Sequence, residues 1–131
     1  MTGQPMPMIP VAWGELIDKL TILEIKRERL TSPKALESVR LEHSALERVL
    51  GDKRTDAQLR QLRDTLRAIN EQLWEVEDLL REHEAGQDFG DVFVHLARSV
   101  YRLNDERAAI KRTISLQLNS EFLEEKSYAS Y

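Results

Sequence analysis

Residues 59–80, LRQLRDTLRAINEQLWEVEDLL, decide the fold of this chain. Apolar side chains recur in them at alternating steps of three and four residues: Leu59, Leu62, Leu66, Ile69, Leu73, Val76 and Leu80. This spacing places all seven on one face of a helix, where they form a continuous apolar seam. Thr55 and Gln58 form a capping box before the seam, and Gly86 follows it. The pattern predicts a helix of about 30 residues, or about 45 Å, whose apolar face must be covered.

Three more stretches show the same spacing. One begins at Trp13, one follows the helix-start pair Ser32-Pro33, and one runs from Phe93 to Ile114. We therefore predict an all-α fold, an antiparallel bundle of four helices without a β-sheet, over residues 13–31, 33–50, 55–84 and 89–118. Because the third helix is much longer than the second, its surplus seam must meet the fourth helix, the N-terminal arm or another subunit. We expect self-association as a homodimer.

The chain length fits a single domain over residues 1–131. Residues 1–11 contain three prolines and a glycine, which predicts an extended N-terminal arm rather than a helix. Residues 119–131 form a polar C-terminal tail. Its acids Glu124 and Glu125 are candidates to fold back over the bundle as a lid.

Composition excludes several classes of protein. With 41% hydrophobic and 32% charged residues, the chain is too apolar for general disorder, and no apolar run is long enough to span a membrane. Met1–Pro10 lacks the basic start and apolar centre of a signal peptide, so we expect a cytoplasmic protein. The absence of cysteine removes disulfides and thiolate zinc sites. A net charge of −4 argues against a nucleic-acid partner.

Three polar residues interrupt the apolar seams. Arg27 and Arg107 each stand where the first and last helices would carry an apolar residue, and His43 does so in the second. A charge in a seam is costly unless a carboxylate pairs with it or its head reaches solvent. Arg27 is interpreted either as a side chain that extends to solvent or as a functional buried guanidinium. His43 is interpreted as a hydrogen-bonded boundary residue, with a metal or catalytic role as the alternative.

Three strings carry a resemblance to a known family: Ile9–Lys26, Leu96–Arg112 and Glu124–Tyr128. With them the chain resembles, over nearly its whole length, a bacterial family of small all-helical proteins known only as a domain of unknown function. The resemblance implies a single helical domain and supplies no activity. Relatives occur near genes for cell-surface polysaccharide assembly, including glycosyltransferases, so it also implies a link to that process.

The residues of these strings define a candidate ligand site between the first and fourth helices. Its members are polar or aromatic and lie in or beside the seams: Trp13, Lys19, Arg27, Tyr101, Asn104, Arg107 and Lys111. The two aromatic rings would form flat walls for a sugar or base, and the guanidiniums would bind a phosphate or carboxylate. The predicted ligand is a small anion such as a phosphate, nucleotide or nucleotide-sugar. The alternative is that these charges form salt bridges on the surface of a bundle.

Three functions stay open on the sequence alone. The leading prediction is a non-catalytic scaffold that binds a protein partner in a helical groove, and the second is the anion binder. The third is a magnesium-dependent all-α nucleotide pyrophosphohydrolase, because Glu75, Asp78, Asp88 and Asp91 are paired acids at spacings that chelate a hard cation. No Gly-x-Ser-x-Gly elbow occurs, and neither His83 nor His95 has a second metal ligand four residues further along the chain. We expect no metal or cofactor, and the catalytic residues, if any, are unknown.

Overall fold

A computed structural model describes residues 5–119 of the chain. It contains four α-helices, α1 (Trp13–Arg29), α2 (Pro33–Leu50), α3 (Ala57–Ala85) and α4 (Asp91–Gln117), and a short 3-10 helix (Gly51–Thr55) between α2 and α3. No strand occurs in this part of the chain, and the predicted all-α fold is confirmed. None of the helices has the length and apolar character needed to cross a bilayer in residues 5–119. The predicted tail beyond Asn119 lies outside the described residues.

Local capping fixes where the helices begin. Ser32 caps α2, where its hydroxyl oxygen accepts from the backbone N–H of Ala35, and Pro33 opens the first turn. At α3 the cap differs from the sequence prediction. Asp56, not Thr55, accepts the hydrogen bond of the backbone N–H of Leu59, at 2.8 Å. Thr55 belongs to the 3-10 helix, so α3 starts two residues later than predicted.

The core is built around α1 rather than around α3. Helix α1 contacts all three other α-helices, whereas in the described structure no Cα of α2 lies within 8 Å of one in α3 or α4. The core cluster consists of buried aliphatic side chains from all four helices: Leu16, Ile17, Leu20, Leu50, Leu59, Leu66 and Ile114. Because α1 lies between α2 and the α3–α4 pair, it is buried on more than one side. This explains why eight of its 17 residues are buried.

The distal parts of α3 and α4 extend beyond this core. Arg29, the last residue of α1, pairs with Glu75 of α3 at 2.6 Å, and α3 continues ten residues past Glu75, about 15 Å. Helix α4 returns along it in the antiparallel direction. We call residues 71–102 the distal hairpin. None of its side chains is buried, although the predicted apolar seam runs through it.

Candidate functional site

The centre of the molecule holds a buried carboxylate. Asp18 of α1 is only 3% exposed, and its two oxygens accept from the guanidinium of Arg107 on α4. Arg107 Nε donates to Oδ1 at 2.9 Å and Nη2 donates to Oδ2 at 2.5 Å, which is the bidentate geometry of the strongest protein ion pairs. This contact joins the first and last helices across 89 residues of sequence.

Helix α3 contributes an amide to the same carboxylate. Asn70 Nδ2 donates to Asp18 Oδ1 at 2.9 Å and to the hydroxyl of Thr21 at 2.8 Å. Thr21 in turn donates to the backbone carbonyl of Asp18 at 2.7 Å. Since a carboxylate only accepts, the amide nitrogen of Asn70 must face it, and both amide hydrogens are used inside the protein. The three helices are thus tied together by one acid.

A lysine and a glycine complete the contact between α1 and α4. Lys111 is buried, and its Nζ lies 2.7 Å from Glu15 and 4.0 Å from Asp18. One turn away, the backbone N–H of Gly14 donates to the hydroxyl of Ser115 at 2.9 Å. A Cβ at Gly14 would lie 2.2 Å from the carbonyl oxygen of Lys111, so only glycine permits this close helix crossing. The Asp18 network, defined here, comprises Glu15, Asp18, Thr21, Asn70, Arg107 and Lys111.

A cavity of about 380 Å³ adjoins the Asp18 network, between α1, α3 and α4. We call it the network cavity. It is lined by aliphatic side chains, one indole ring and five polar side chains: Ile22, Ile25, Asn70, Leu73, Trp74, Glu77, Asp78, Arg81 and Arg107. Its volume lies within the usual range for small-molecule sites, about 300–1,000 Å³.

A second charged cluster separates α2 from α3. Arg63 of α3 binds Glu47 of α2 at 2.5 Å and Glu24 of α1 at 3.2 Å. Burial opposes the charge of Arg63, but its hydrogen bond to Glu47 and the charges of both acids outweigh this effect and raise its pKa. Arg67, one turn on, binds Glu28 at 2.5 Å. These ion pairs connect α3 to both α2 and α1.

His43 and Arg27 lie at the edge of the second cluster. Arg27 Nη1 lies 3.4 Å from His43 Nδ1, and arginine can only donate in such a contact. The other ring nitrogen of His43 is Nε2. It is buried and has no hydrogen-bond partner in the described structure, with Glu47 at 3.8 Å as the nearest carboxylate.

The structure brings together three of the seven predicted ligand-site residues. Asn104, Arg107 and Lys111 converge, since Arg107 Nη1 also donates to Asn104 Oδ1 at 3.4 Å. The other four lie in four separate places. Trp13 packs against the core with Lys53 4.6 Å from its ring centre, Lys19 pairs with Glu42 at 3.0 Å, and Arg27 meets His43. Tyr101 lies exposed on α4, where Arg98 donates to it at 3.5 Å.

Sequence reasoning did not select Thr21, Asn70 or Trp74 as site residues. Asn70 follows the seam residue Leu66 by four positions and Ile69 by one, so an uncharged polar side chain at the edge of the seam was the available signal. The acids of the magnesium alternative do not share one site. Glu75 pairs with Arg29 and Asp88 with His83, and residues 5–119 contain no group of three His, Cys, Asp or Glu side chains able to hold a metal ion.

The fold and the Asp18 network define an all-α protein whose helices are joined by a buried ion-pair network. A family model described as a family of unknown function, DUF6165, matches residues 8–131. The chain therefore belongs to this family, as the resemblance in the sequence indicated. Searches of curated proteins and of solved structures found no significant match.

Proposed function

We propose that the protein is a non-catalytic interaction module that works as a homodimer and uses the distal hairpin as its self-association surface. The observation that supports this proposal most directly is the seam itself. It continues through residues 71–102, yet no side chain there is buried within one copy. Apolar surface of this kind favours a protein partner. The predicted link to cell-surface polysaccharide assembly and the predicted cytoplasmic location stay predictions.

One face of the distal hairpin offers a groove for that partner. The hairpin groove, about 430 Å³, lies between α3 and α4 and has an apolar floor that includes Val76, Leu96 and Leu103. An apolar stripe continues from this floor toward the tip of the hairpin, because Leu79 follows Val76 by three residues and Val92 precedes Leu96 by four. These two side chains are 42% and 61% exposed. The apolar stripe is therefore open to solvent at the end farthest from the core.

Charge favours a second copy as the occupant of the groove. Residues 71–84 on α3 contain six acids and one arginine, whereas residues 92–102 on α4 contain two arginines and no acid. Glu75 and Arg102 line opposite sides of the groove. A two-fold axis parallel to the helices would place each acidic α3 against the basic α4 of the other copy. The contact between Glu75 and Arg102 then forms twice, once on each side of the axis, which is the self-complementarity that a symmetric dimer requires.

A matched pair of substitutions tests this surface. Val92→Glu places a carboxylate in the apolar stripe, whereas Val94→Glu places the same charge on the opposite side of the same helical turn. Both valines are exposed, at 61% and 49%, so neither change should disturb folding of a single copy. We expect sedimentation of the unmodified protein to show a dimer at micromolar concentration. Val92→Glu should weaken dimerisation at least about tenfold, since 1.4 kcal/mol of lost apolar burial suffices for that factor.

The Val94→Glu variant should dimerise like the unmodified protein. If the unmodified protein stays monomeric at concentrations up to 100 times those used for the variants, the homodimer proposal is rejected. Equal effects of the two substitutions would show that the distal hairpin associates through a different face. Circular dichroism of both variants checks that the helical content is unchanged.

A further inference from the structure

The geometry points to the network cavity as a binding site for a small amphipathic anion, with a compact apolar or aromatic body and a carboxylate or phosphate head. The cavity lies on the core side of the distal hairpin, between α1, α3 and α4, and the predicted dimer contact uses other residues. This inference therefore stands or falls independently of the homodimer.

The inner end of the network cavity is polar. Arg107 lines it and is held in place by the bidentate pair with Asp18, so the guanidinium is oriented before any ligand arrives. Asn70 lines it as well. Both of its amide hydrogens go to Asp18 and Thr21, and its carbonyl oxygen accepts no hydrogen bond within the described residues.

The walls of the network cavity are apolar. Ile22 and Ile25 face it from α1, and Leu73 and Trp74 face it from α3. An indole ring and three aliphatic side chains accommodate a planar or branched apolar body. The contacts between this body and the walls are non-directional. The polar end and the apolar walls together require a ligand with one polar head and one apolar body.

The charge of the ligand's polar head follows from how deeply the charged side chains of the cavity are buried. Arg107 is only 28% exposed at its side chain, whereas Glu77, Asp78 and Arg81 stand exposed at the outer rim. Exposed charges are screened by water and salt, so the rim acids contribute little at the inner end. Behind the inner end, Arg107 and Lys111 carry two positive charges and Asp18 one negative charge, and these buried charges act through a lower dielectric. The inner end thus favours an anionic oxygen, and the carbonyl of Asn70 favours a head that also carries a hydroxyl.

Three probes with the same body and different heads test this assignment. We would titrate the ¹⁵N-labelled full chain with 3-phenylpropionate, 3-phenylpropanol and 3-phenylpropylamine, and follow the indole N–H signals. The chain has two tryptophans, Trp74 in the cavity and Trp13 against the core near Lys53, so Trp13 is an internal control. For a fragment of about eleven non-hydrogen atoms we expect a Kd of about 1 mM. The anion should move the Trp74 signal saturably, and the amine should bind at least about fivefold more weakly.

Two further probes define the head. Phenyl phosphate should compete with 3-phenylpropionate if the site accepts either anionic head, and 2-hydroxy-3-phenylpropionate should bind more tightly than the parent acid if Asn70 accepts from its hydroxyl. The head group that binds more tightly then indicates the chemical class of the natural ligand.

Substitutions separate the site from general anion binding. Ile22→Trp fills the cavity and should abolish the shift of Trp74. Arg81→Gln should weaken the anion by a factor of about 2–5, the usual range for an exposed charge, whereas Arg60→Gln, an exposed arginine elsewhere on α3, should leave it unchanged. None of these positions belongs to the Asp18 network. Tighter binding of the amine would overturn the anionic head. Retained binding in a folded Ile22→Trp variant, or no saturable Trp74 shift with any probe, would overturn the site.

Discussion

At the scale of single residues, the Asp18 network shows how a buried charge determines which helices pack together. A carboxylate that is 3% exposed is tolerable only with donors on its oxygens, and these donors come from α3 and α4. Arg107 was predicted to need either a carboxylate or an anion. The structure supplies the carboxylate, in Asp18, so this arginine supports the fold whether or not a ligand binds beside it.

Replacing the acid should be costly. In Asp18→Asn, one side-chain oxygen and the negative charge disappear, and Arg107 and Lys111 lose the carboxylate they share. Loss of one partner from a buried ion pair costs about 3–5 kcal/mol, so we expect the urea midpoint to fall sharply. Glu15→Gln is the control, because this acid is half exposed and its loss should cost less than about 1 kcal/mol. Equal destabilisation by the two variants would contradict a special role for Asp18.

Gly14 tests the geometry of the same helix crossing. An alanine there would place Cβ 2.2 Å from a backbone oxygen that cannot rotate away, so α1 and α4 must separate. We expect Gly14→Ala to lower the free energy of unfolding by about 1–3 kcal/mol, the usual range for overpacking, despite the better helix propensity of alanine. Gly86→Ala is a matched control, since its Cβ would meet nothing closer than 3.5 Å and its φ is negative. Thermal denaturation of the two variants would distinguish a clash from a loss of flexibility.

At the scale of helices, α2 is attached to the molecule in two ways. Its apolar seam packs on α1, while its link to α3 runs through Arg63, which binds Glu47 and Glu24 at once. The ion pairs hold the two helices together across a gap too wide for backbone contact. Removal of Arg63 therefore should loosen α2 without dissolving the core.

Hydrogen exchange measures this attachment directly. In Arg63→Met we expect faster amide exchange in residues 33–50, because Glu24 and Glu47 then lose the cation that bridges them. Exchange in α4 should stay near that of the unmodified protein. Arg60→Met, one turn earlier on the exposed side of α3, should change neither helix. Uniform acceleration across all four helices would mean instead that Arg63 stabilises the whole core.

Much of the fold followed from helical spacing, and much of the site did not. The seams predicted four helices with ends within about two residues of those observed, since spacing in the chain fixes which residues share a face. The partner of each face is not fixed by spacing. For that reason the long seam of α3 did not indicate that α1 is the central helix. Asn70 donates to Asp18 only because α1 and α3 pack side by side, and the sequence does not specify this packing.

The same limit applied to the predicted ligand site. Trp13, Lys19 and Arg27 lie on the same helix but point to the core, to α2 and to the second charged cluster. One helix presents its residues at about 100° per position, so a list of notable residues from one segment seldom forms one surface. Asn104, Arg107 and Lys111 do converge, because steps of three and four keep them on one face of α4.

At the scale of the whole molecule, the proposed homodimer depends on contacts that a single copy cannot make. In the proposed arrangement Glu75 of each copy faces Arg102 of the other. Glu75→Arg alone, or Arg102→Glu alone, places like charges across both contacts and should weaken dimerisation by about tenfold, since like charges across an interface are strongly unfavourable. The two substitutions together restore opposite charges at both contacts and should recover most of the affinity.

This charge exchange also separates the dimer from effects within one chain. Glu75 pairs with Arg29 of its own copy, and that pair is lost equally in Glu75→Arg and in the double variant. If the double variant dimerises and Glu75→Arg does not, the difference therefore cannot come from the pair between Glu75 and Arg29. Sedimentation of the two single variants, of the double variant and of an equimolar mixture of the two single variants measures the coupling. Failure of the double variant to recover, with its helical content intact, would place these two residues outside the interface and reject the two-fold arrangement.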